Sequence, residues 1–179
     1  MPAMRLQIGC GKFPRPGWIN TDNKLRPGVD CVADLRGDLP FADGTFDCAA
    51  AIHVLPHIPL EGLAPALARI RRVLKQGGVL RLALPDLDKA IDAYRRGDAA
   101  YFAIPDAQWK SLGAKLVAQI VWHNDLRTPF TYDLAAEALA KAGYASIARC
   151  GFRETRSRFP EIVELDNRER ESFFVEAAR

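Results

Sequence analysis

An α/β fold, with a Rossmann-like and mostly parallel sheet, is what this chain predicts, and three observations carry the prediction. An apolar run from Met4 to Ile8 stops abruptly at Gly9-Cys10-Gly11. A second short stretch, Trp18-Ile19-Asn20-Thr21-Asp22, ends in a carboxylate. From Phe46 onward apolar strands alternate with helical patterns, which calls for parallel strands joined by right-handed crossovers.

Taken in order, strand one covers Arg5 to Gly9 and strand two Trp18 to Asp22. Asn23 to Gly28 is a turn, marked by Pro27-Gly28. Val29 to Ala33 reads as a third short strand that ends at Asp34, and Leu39 to Thr45 as a loop. The fourth strand, Phe46 to Ile52, is nearly all apolar, as a central strand covered on both faces must be. Alanine forms strands poorly, so its neighbours must carry this one.

Leu60, Leu63, Ala64, Leu67, Ile70, Val73 and Leu74 recur at helical spacing, with a stop at Lys75 ahead of Gly77-Gly78. Val79 to Leu84 is the fifth strand, ended by Pro85; Asp86 caps a helix from Leu87 to Arg96. Residues 98–131 are the least regular. Within them, Lys110 to Trp122 reads as a helix with Leu112, Leu116, Ile120 and Val121 inward. Tyr132 to Ala142 is a helix with Gly143 as its stop, and Ala145–Cys150 and Ser172–Ala177 are the last two strands. Between these strands, Pro160 to Arg170 reads as a polar loop or short turn.

The two strand ends point to a ligand. Glycine at the tip of a parallel strand lets a ligand approach the backbone, and an acid at the tip of the next strand accepts from both hydroxyls of a ribose. A dinucleotide fingerprint needs a third glycine and a helix to hold the pyrophosphate. Here the third position is Pro14, and Pro14 with Pro16 forbids a helix of useful length. An adenosine ligand without phosphates, such as S-adenosylmethionine (SAM), fits this loop better.

At this point the chain resembles a known family. Leu-x-Ile-Gly-Cys-Gly, then Gly17-Trp18-Ile19-Asn20-x-Asp22, Asp34-Leu35, Leu39-Pro40-Phe41-x-Asp43-x-x-Phe46-Asp47, His53-Val54-Leu55-x-His57-Ile58 and Arg72-Val73-Leu74-Lys75-x-Gly77-Gly78 look like a class I SAM-dependent methyltransferase. The nearest type is the small methyltransferase group (methyltransferase type 11-like) whose first crossover helix is shortened or absent. The resemblance is close over residues 4–86 and loose beyond. It implies a seven-stranded sheet closed by an antiparallel edge hairpin, a single domain over residues 1–179, and residues 87–131 as a substrate-side lid.

The resemblance also implies roles. Gly9, Cys10 and Gly11 would carry the methionine moiety, and Asp22, followed by Asn23, the ribose. Asp34 and Leu35 would flank the adenine, and Ile52 and His53 would close the cofactor site from strand four. A hydroxyl acceptor needs a base, and His53, His57, His123 and Asp86 are the candidates, with His53 and His123 taken as catalytic. The family usually carries Glu before the second histidine; here that residue is Pro56, which also suggests loop rather than helix. His53-x-x-x-His57 has metal-pair spacing but no third ligand, so no metal is expected. Arg149, Arg153, Arg156 and Arg158 read first as a solvated basic loop balanced by Glu154, Glu161 and Glu164, with an anionic acceptor facing them as the alternative.

Composition sets the outer bounds. The chain has 179 residues, 49% of them hydrophobic and with a net charge of +3, which suits one globular α/β domain and does not suggest nucleic acid as partner. Four cysteines without C-x-x-C spacing read as free thiols in a reducing cytoplasm. Neither a membrane span nor a leader is expected. The expected activity is methyl transfer from SAM to oxygen or nitrogen of a small-molecule acceptor, such as a sugar or secondary metabolite. Two alternatives stand beside it: a non-catalytic SAM-fold binding or regulatory protein, and an NAD-dependent oxidoreductase.

Overall fold

The computed structural model describes residues 3–121 and 125–179. Seven strands form one sheet: β1 (Arg5–Ile8), β2 (Ile19–Asp22), β3 (Cys31–Val32), β4 (Phe46–Ile52), β5 (Leu74–Pro85), β6 (Ser146–Cys150) and β7 (Ser172–Ala178), in the order β3-β2-β1-β4-β5-β7-β6. The first five run parallel. β7 is antiparallel to both β5 and β6, which is the edge hairpin the resemblance implied.

β4 lies at the centre, where Ala49, Ala50 and Ala51 are fully buried. Their small side chains let both faces be covered closely. One face carries α1 (Leu63–Val73) and α4 (Tyr132–Lys141), whose Leu67, Ile70 and Leu139 pack over Leu6, Ala49, Leu80 and Val175. α2 (Leu87–Arg95) begins at Asp86, whose carboxylate accepts from the backbone N–H groups of Asp88 and Lys89 as expected of a cap. Thr131 caps α4 in the same way, through the N–H of Leu134.

On the second face the missing first crossover helix is as the resemblance implied, but what covers the face is not what the sequence led us to expect. Among the described residues no helix joins β1 to β2, β2 to β3 or β3 to β4. Instead the connection from β6 to β7 folds back across the sheet. Its Phe159 and Ile162 cover Trp18, Cys48 and Ala50. Pro160–Leu165 is a 3₁₀ turn with Ile162 fully buried, so the segment expected as a polar loop is a structural layer. Its acids pair with the sheet and the first loop: Glu161 with Arg5 at 2.7 Å and Glu164 with Arg15 at 2.6 Å. At its end Asp166 meets Arg81, a fully buried cation on β5, at 2.5 Å; Glu176 lies 3.2 Å from the same guanidinium.

The arginines of this connection do not balance its glutamates. Arg153 and Arg158 lie over the rings of Phe152 and Phe159; Arg149, on β6 before the connection, pairs with Asp86 at 3.3 Å while covering Tyr132. Other boundaries shift too. β5 starts at Leu74, and Gly77-Gly78 falls inside it, where the register against β4 shifts between Phe46 and Cys48. β3 is only two residues long.

α3 (Leu112–Val121) forms where expected, but Leu112, Leu116, Ile120 and Val121 are only half-buried. Leu112 and Leu116 pack on Ala90, Ala93, Tyr101 and Phe102, and the residue this helix buries is Lys115, paired with Asp106 at 2.5 Å. Among the described residues no helix is long and apolar enough to cross a membrane.

Candidate active site

The carboxyl ends of β1, β2, β4 and β5 meet at one rim. The loop after β1 is built without a helix, and polar side chains hold it. Gln7 donates to the carbonyl of Phe13 and accepts from the N–H of Arg15; Asn20 accepts from the same N–H at 2.7 Å and donates to the carbonyls of Arg15 and Trp18. Sequence reasoning missed these two residues. The available signal was a buried amide inside an apolar strand, Leu6-Gln7-Ile8, beside a loop with two prolines.

The two glycines differ in what they do. Both have left-handed backbone, φ +65° at Gly9 and +57° at Gly11. A Cβ on Gly9 would fall 2.4 Å from a methyl of Val54, so Gly9 is required by packing of the first loop on the chain after β4. A Cβ on Gly11 would meet nothing within 4 Å, so that backbone faces open space. Between them the Cys10 side chain is buried, and burial with the nearby Asp22 charge raises its thiol pKa.

Asp22 ends β2 with its carboxylate tied to the first loop: it accepts from the N–H of Gly11 at 2.9 Å and from the N–H of Lys24 at 3.0 Å, with Arg26 at 3.8 Å. Each oxygen keeps a further acceptor position. Asn23, next to it, is exposed. After β3, Asp34 pairs with Arg36 at 2.5 Å, and those hydrogen bonds hold its carboxyl below the usual range. Leu35 is 5% exposed, its side chain part of the core rather than of an open face. Ile52 is half-buried against the second-face cluster.

His53 follows β4 in left-handed backbone, φ 56°, an unusual conformation for a non-glycine residue. Its Nε2 lies 3.2 Å from the Ser172 hydroxyl, and its Nδ1 is buried without a hydrogen-bond partner. Burial, with Arg168 and His57 adding to it, pushes the imidazole down to about 4, so the ring is neutral near neutral pH. Around Pro56 the chain forms no α-helix, in keeping with the expectation, and Leu55–His57 makes a single 3₁₀ turn with the proline near its start. His123 lies outside the described residues.

A cavity of about 230 Å³ opens at this rim. His53 and His57 line it from the β4 side, Pro85, Asp86 and Leu87 from the β5 side, and Tyr101, Gln119 and Ile120 from the cover above. Thr128 and Phe130 close a further wall, and Arg168 and Glu171 reach in from the β6–β7 connection. Tyr101 brings a second buried polar atom without a partner, its hydroxyl, and burial with the charges of Asp86 and Glu171 pushes its pKa up to about 12. Of the expected cofactor residues only His53 lines this cavity; Gly9 is linked to its wall indirectly, by packing on Val54, the residue that follows His53. Two features share this rim, a first loop with an acid at its edge and a partly open, mainly apolar pocket with polar points. Among the described residues no cluster of His, Cys, Asp or Glu suits a metal ion.

Comparison with known proteins bears on the domain and the fold. A family model described as a methyltransferase domain matches residues 16–82. An uncharacterized 37.1 kDa protein in a transposon of Streptomyces fradiae is 42% identical over 62 residues, 35% of this chain, and the chain spans only 17% of that protein. The fold is that of solved SAM-dependent methyltransferases. One from Archaeoglobus fulgidus has a TM-score of 0.62 at 13% identity, covering 99% of this chain and 86% of the other. One from Thermotoga maritima gives 0.61 at 18% identity, covering 99% and 83%; one from Mesorhizobium loti gives 0.57 at 18%, covering 99% and 91%.

The domain match and this fold imply SAM as the cofactor. The residues present suit it. The open space beside Gly11 accepts a ligand against the backbone, the Asp22 carboxylate has acceptor capacity left for hydroxyls, and no helix begins in the loop between β1 and β2 to hold a phosphate there.

Proposed function

We infer that this chain, a methyltransferase domain on the class I SAM-dependent fold, transfers a methyl group from SAM to a small-molecule acceptor at oxygen or nitrogen. The observation that carries the reading is the partly open cavity at the strand-end rim, whose wall residue His53 is followed by Val54, the residue packed on Gly9 of the first loop. An acceptor in that cavity lies next to a cofactor on the loop. The cavity suits a compact molecule with an apolar body, held between Leu87, Ile120 and Phe130, and with polar substituents for Tyr101 and the histidines.

When bound, SAM supplies a methyl group on a sulfonium that departs as a neutral thioether. The chain's task is therefore mainly positioning, which contributes several kcal/mol by effective-molarity arguments. Gly11 leaves room for the cofactor, Asp22 takes the ribose hydroxyls, and the exposed Asn23 and the rim near Asp34 border the base, while Leu35 supports that rim from the core. Tyr101, Ile120, Leu126 and Phe130 cover part of the cavity and limit the water that reaches an acceptor there. The four unpaired thiols support a reducing compartment, hence the cytoplasm.

Calorimetric titration with S-adenosylhomocysteine, with NAD as control, tests the cofactor half. Micromolar binding of the first and none of the second is expected, and Asp22→Ala should weaken binding by about 1.5–3 kcal/mol. A radiolabelled-methyl screen of small alcohols, phenols and amines tests the acceptor half. Binding without transfer to any acceptor class would favour a regulatory protein of the same fold; binding of NAD instead would return the oxidoreductase reading.

A further inference from the structure

We propose that His57 is the general base of this site, held by the backbone of residues 125–128 in the tautomer that presents a bare Nε2 to the acceptor cavity. The inference rests on the methyltransferase reading above and assigns the proton that the reading leaves unassigned.

The geometry is local and well tied. His57 Nδ1 lies 3.0 Å from the carbonyl oxygen of Asp125. A carbonyl only accepts, so Nδ1 must carry the hydrogen and Nε2 the lone pair in the neutral ring. The carbonyl is not free to swing away. The N–H groups of Arg127 and Thr128 both donate to the carbonyl of Pro56, at 2.7 and 3.1 Å, and the Thr128 hydroxyl donates to the carbonyl of Ile58 at 2.7 Å. These three bonds join the turn bearing His57 to the segment bearing the Asp125 carbonyl. His57 is exposed at the mouth of the cavity that it lines, and among the described residues its Nε2 has no protein partner.

His53 is the weaker candidate on the same grounds. Its Nε2 is engaged by Ser172, and burial keeps its ring neutral far into acid, which makes it a poor proton acceptor. It serves instead as a neutral wall of the cavity. Asp86 has one oxygen on the start of α2 and the other 3.3 Å from Arg149, so its carboxylate is already engaged.

The proton balance is simple. As the acceptor's lone pair forms the bond to the methyl carbon, the carbon–sulfur pair leaves with sulfur. The acceptor's proton passes to His57 Nε2. The imidazolium keeps its Nδ1–H on the Asp125 carbonyl and returns the new proton to water at the cavity mouth. The charged and titratable groups that line the cavity with it are His53 from the end of β4, Asp125 from the joined segment, Asp86 from the start of α2, Tyr101 from the cover, and Arg168 and Glu171 from the β6–β7 connection.

With three histidines in the chain, single substitutions assign each imidazole in a long-range nitrogen–proton correlation spectrum. At mildly alkaline pH the His57 ring should show a protonated Nδ1 and a bare Nε2; a protonated Nε2 overturns the proposal whatever the acceptor. The second arm uses the acceptor found in the methyl-transfer screen. His57→Gln should lower kcat by about 100-fold or more, the range for a general base, with S-adenosylhomocysteine affinity unchanged. Full kcat in His57→Gln overturns the proposal. A wild-type chain that does not bind S-adenosylhomocysteine removes the functional reading instead, and the tautomer measurement tells the two failures apart.

Discussion

Single residues at this rim separate packing from binding. Gly9 and Gly11 look alike in sequence and share a left-handed backbone, yet only Gly9 has a neighbour where its side chain would be. Gly9→Ala should cost about 1–3 kcal/mol of stability, read from the denaturant midpoint, because strain and the clash with Val54 add. Gly11→Ala should cost about 1 kcal/mol or less in stability but weaken S-adenosylhomocysteine binding at least as much as Asp22→Ala, since the new methyl would occupy the ligand's space.

His53 makes a pH prediction at the same scale. Its folded pKa of about 4 lies below the ordinary 6.5, so between those values the unfolded chain binds a proton that the folded chain does not. Its contribution is complete above pH 6.5 and lost as pH falls toward about 4, with a slope of at most about 1.4 kcal/mol per pH unit. His53→Asn, which tolerates the left-handed backbone, should flatten that part of the stability–pH curve. An unchanged slope would mean that the ring is solvated in the folded chain.

Among the elements, the β6–β7 connection shows most clearly how this chain compensates for absent helices. With no crossover helix between β1 and β4, the second face of the sheet needs another cover. Phe159 and Ile162 supply the apolar part, and the fully buried Arg81 with Asp166 and Glu176 anchors the end. The guanidinium is satisfied by the two carboxylates and the carbonyls of Gly151 and Glu154. Breaking such a set from one side leaves a buried charge short of its partner. Asp166→Ala should therefore cost about 3 kcal/mol or more by chemical denaturation. A loss under about 1 kcal/mol would mean that water reaches Arg81.

At the scale of the whole molecule, a ligand that binds only the folded chain raises its stability by mass action. S-adenosylhomocysteine at about a hundred times its Kd should add about 2.7 kcal/mol, or roughly 5–10 °C in Tm for a chain of this size. NAD at the same concentration should leave Tm unchanged. The shift should survive His57→Gln, which touches the acceptor side, and shrink in Asp22→Ala.

What the sequence determined by itself is local and ordered along the chain. The strand ends at Gly9-Cys10-Gly11 and Asp22, the apolar β4, the Asp86 cap and the helices α1 and α4 each depend on residues adjacent in sequence or one turn apart, and so they could be read directly. The motif order from Leu6 to Gly78 added the cofactor class by resemblance. Tertiary structure alone decided the rest, because it depends on residues far apart in the chain. Glu161 and Glu164 pair with Arg5 and Arg15, Asp166 with Arg81, and the ring of His57 takes its tautomer from the carbonyl of Asp125, 68 residues away. No spacing rule spans such distances. Pairings of this kind are chosen by which surfaces the sheet leaves uncovered, and only the folded chain shows them.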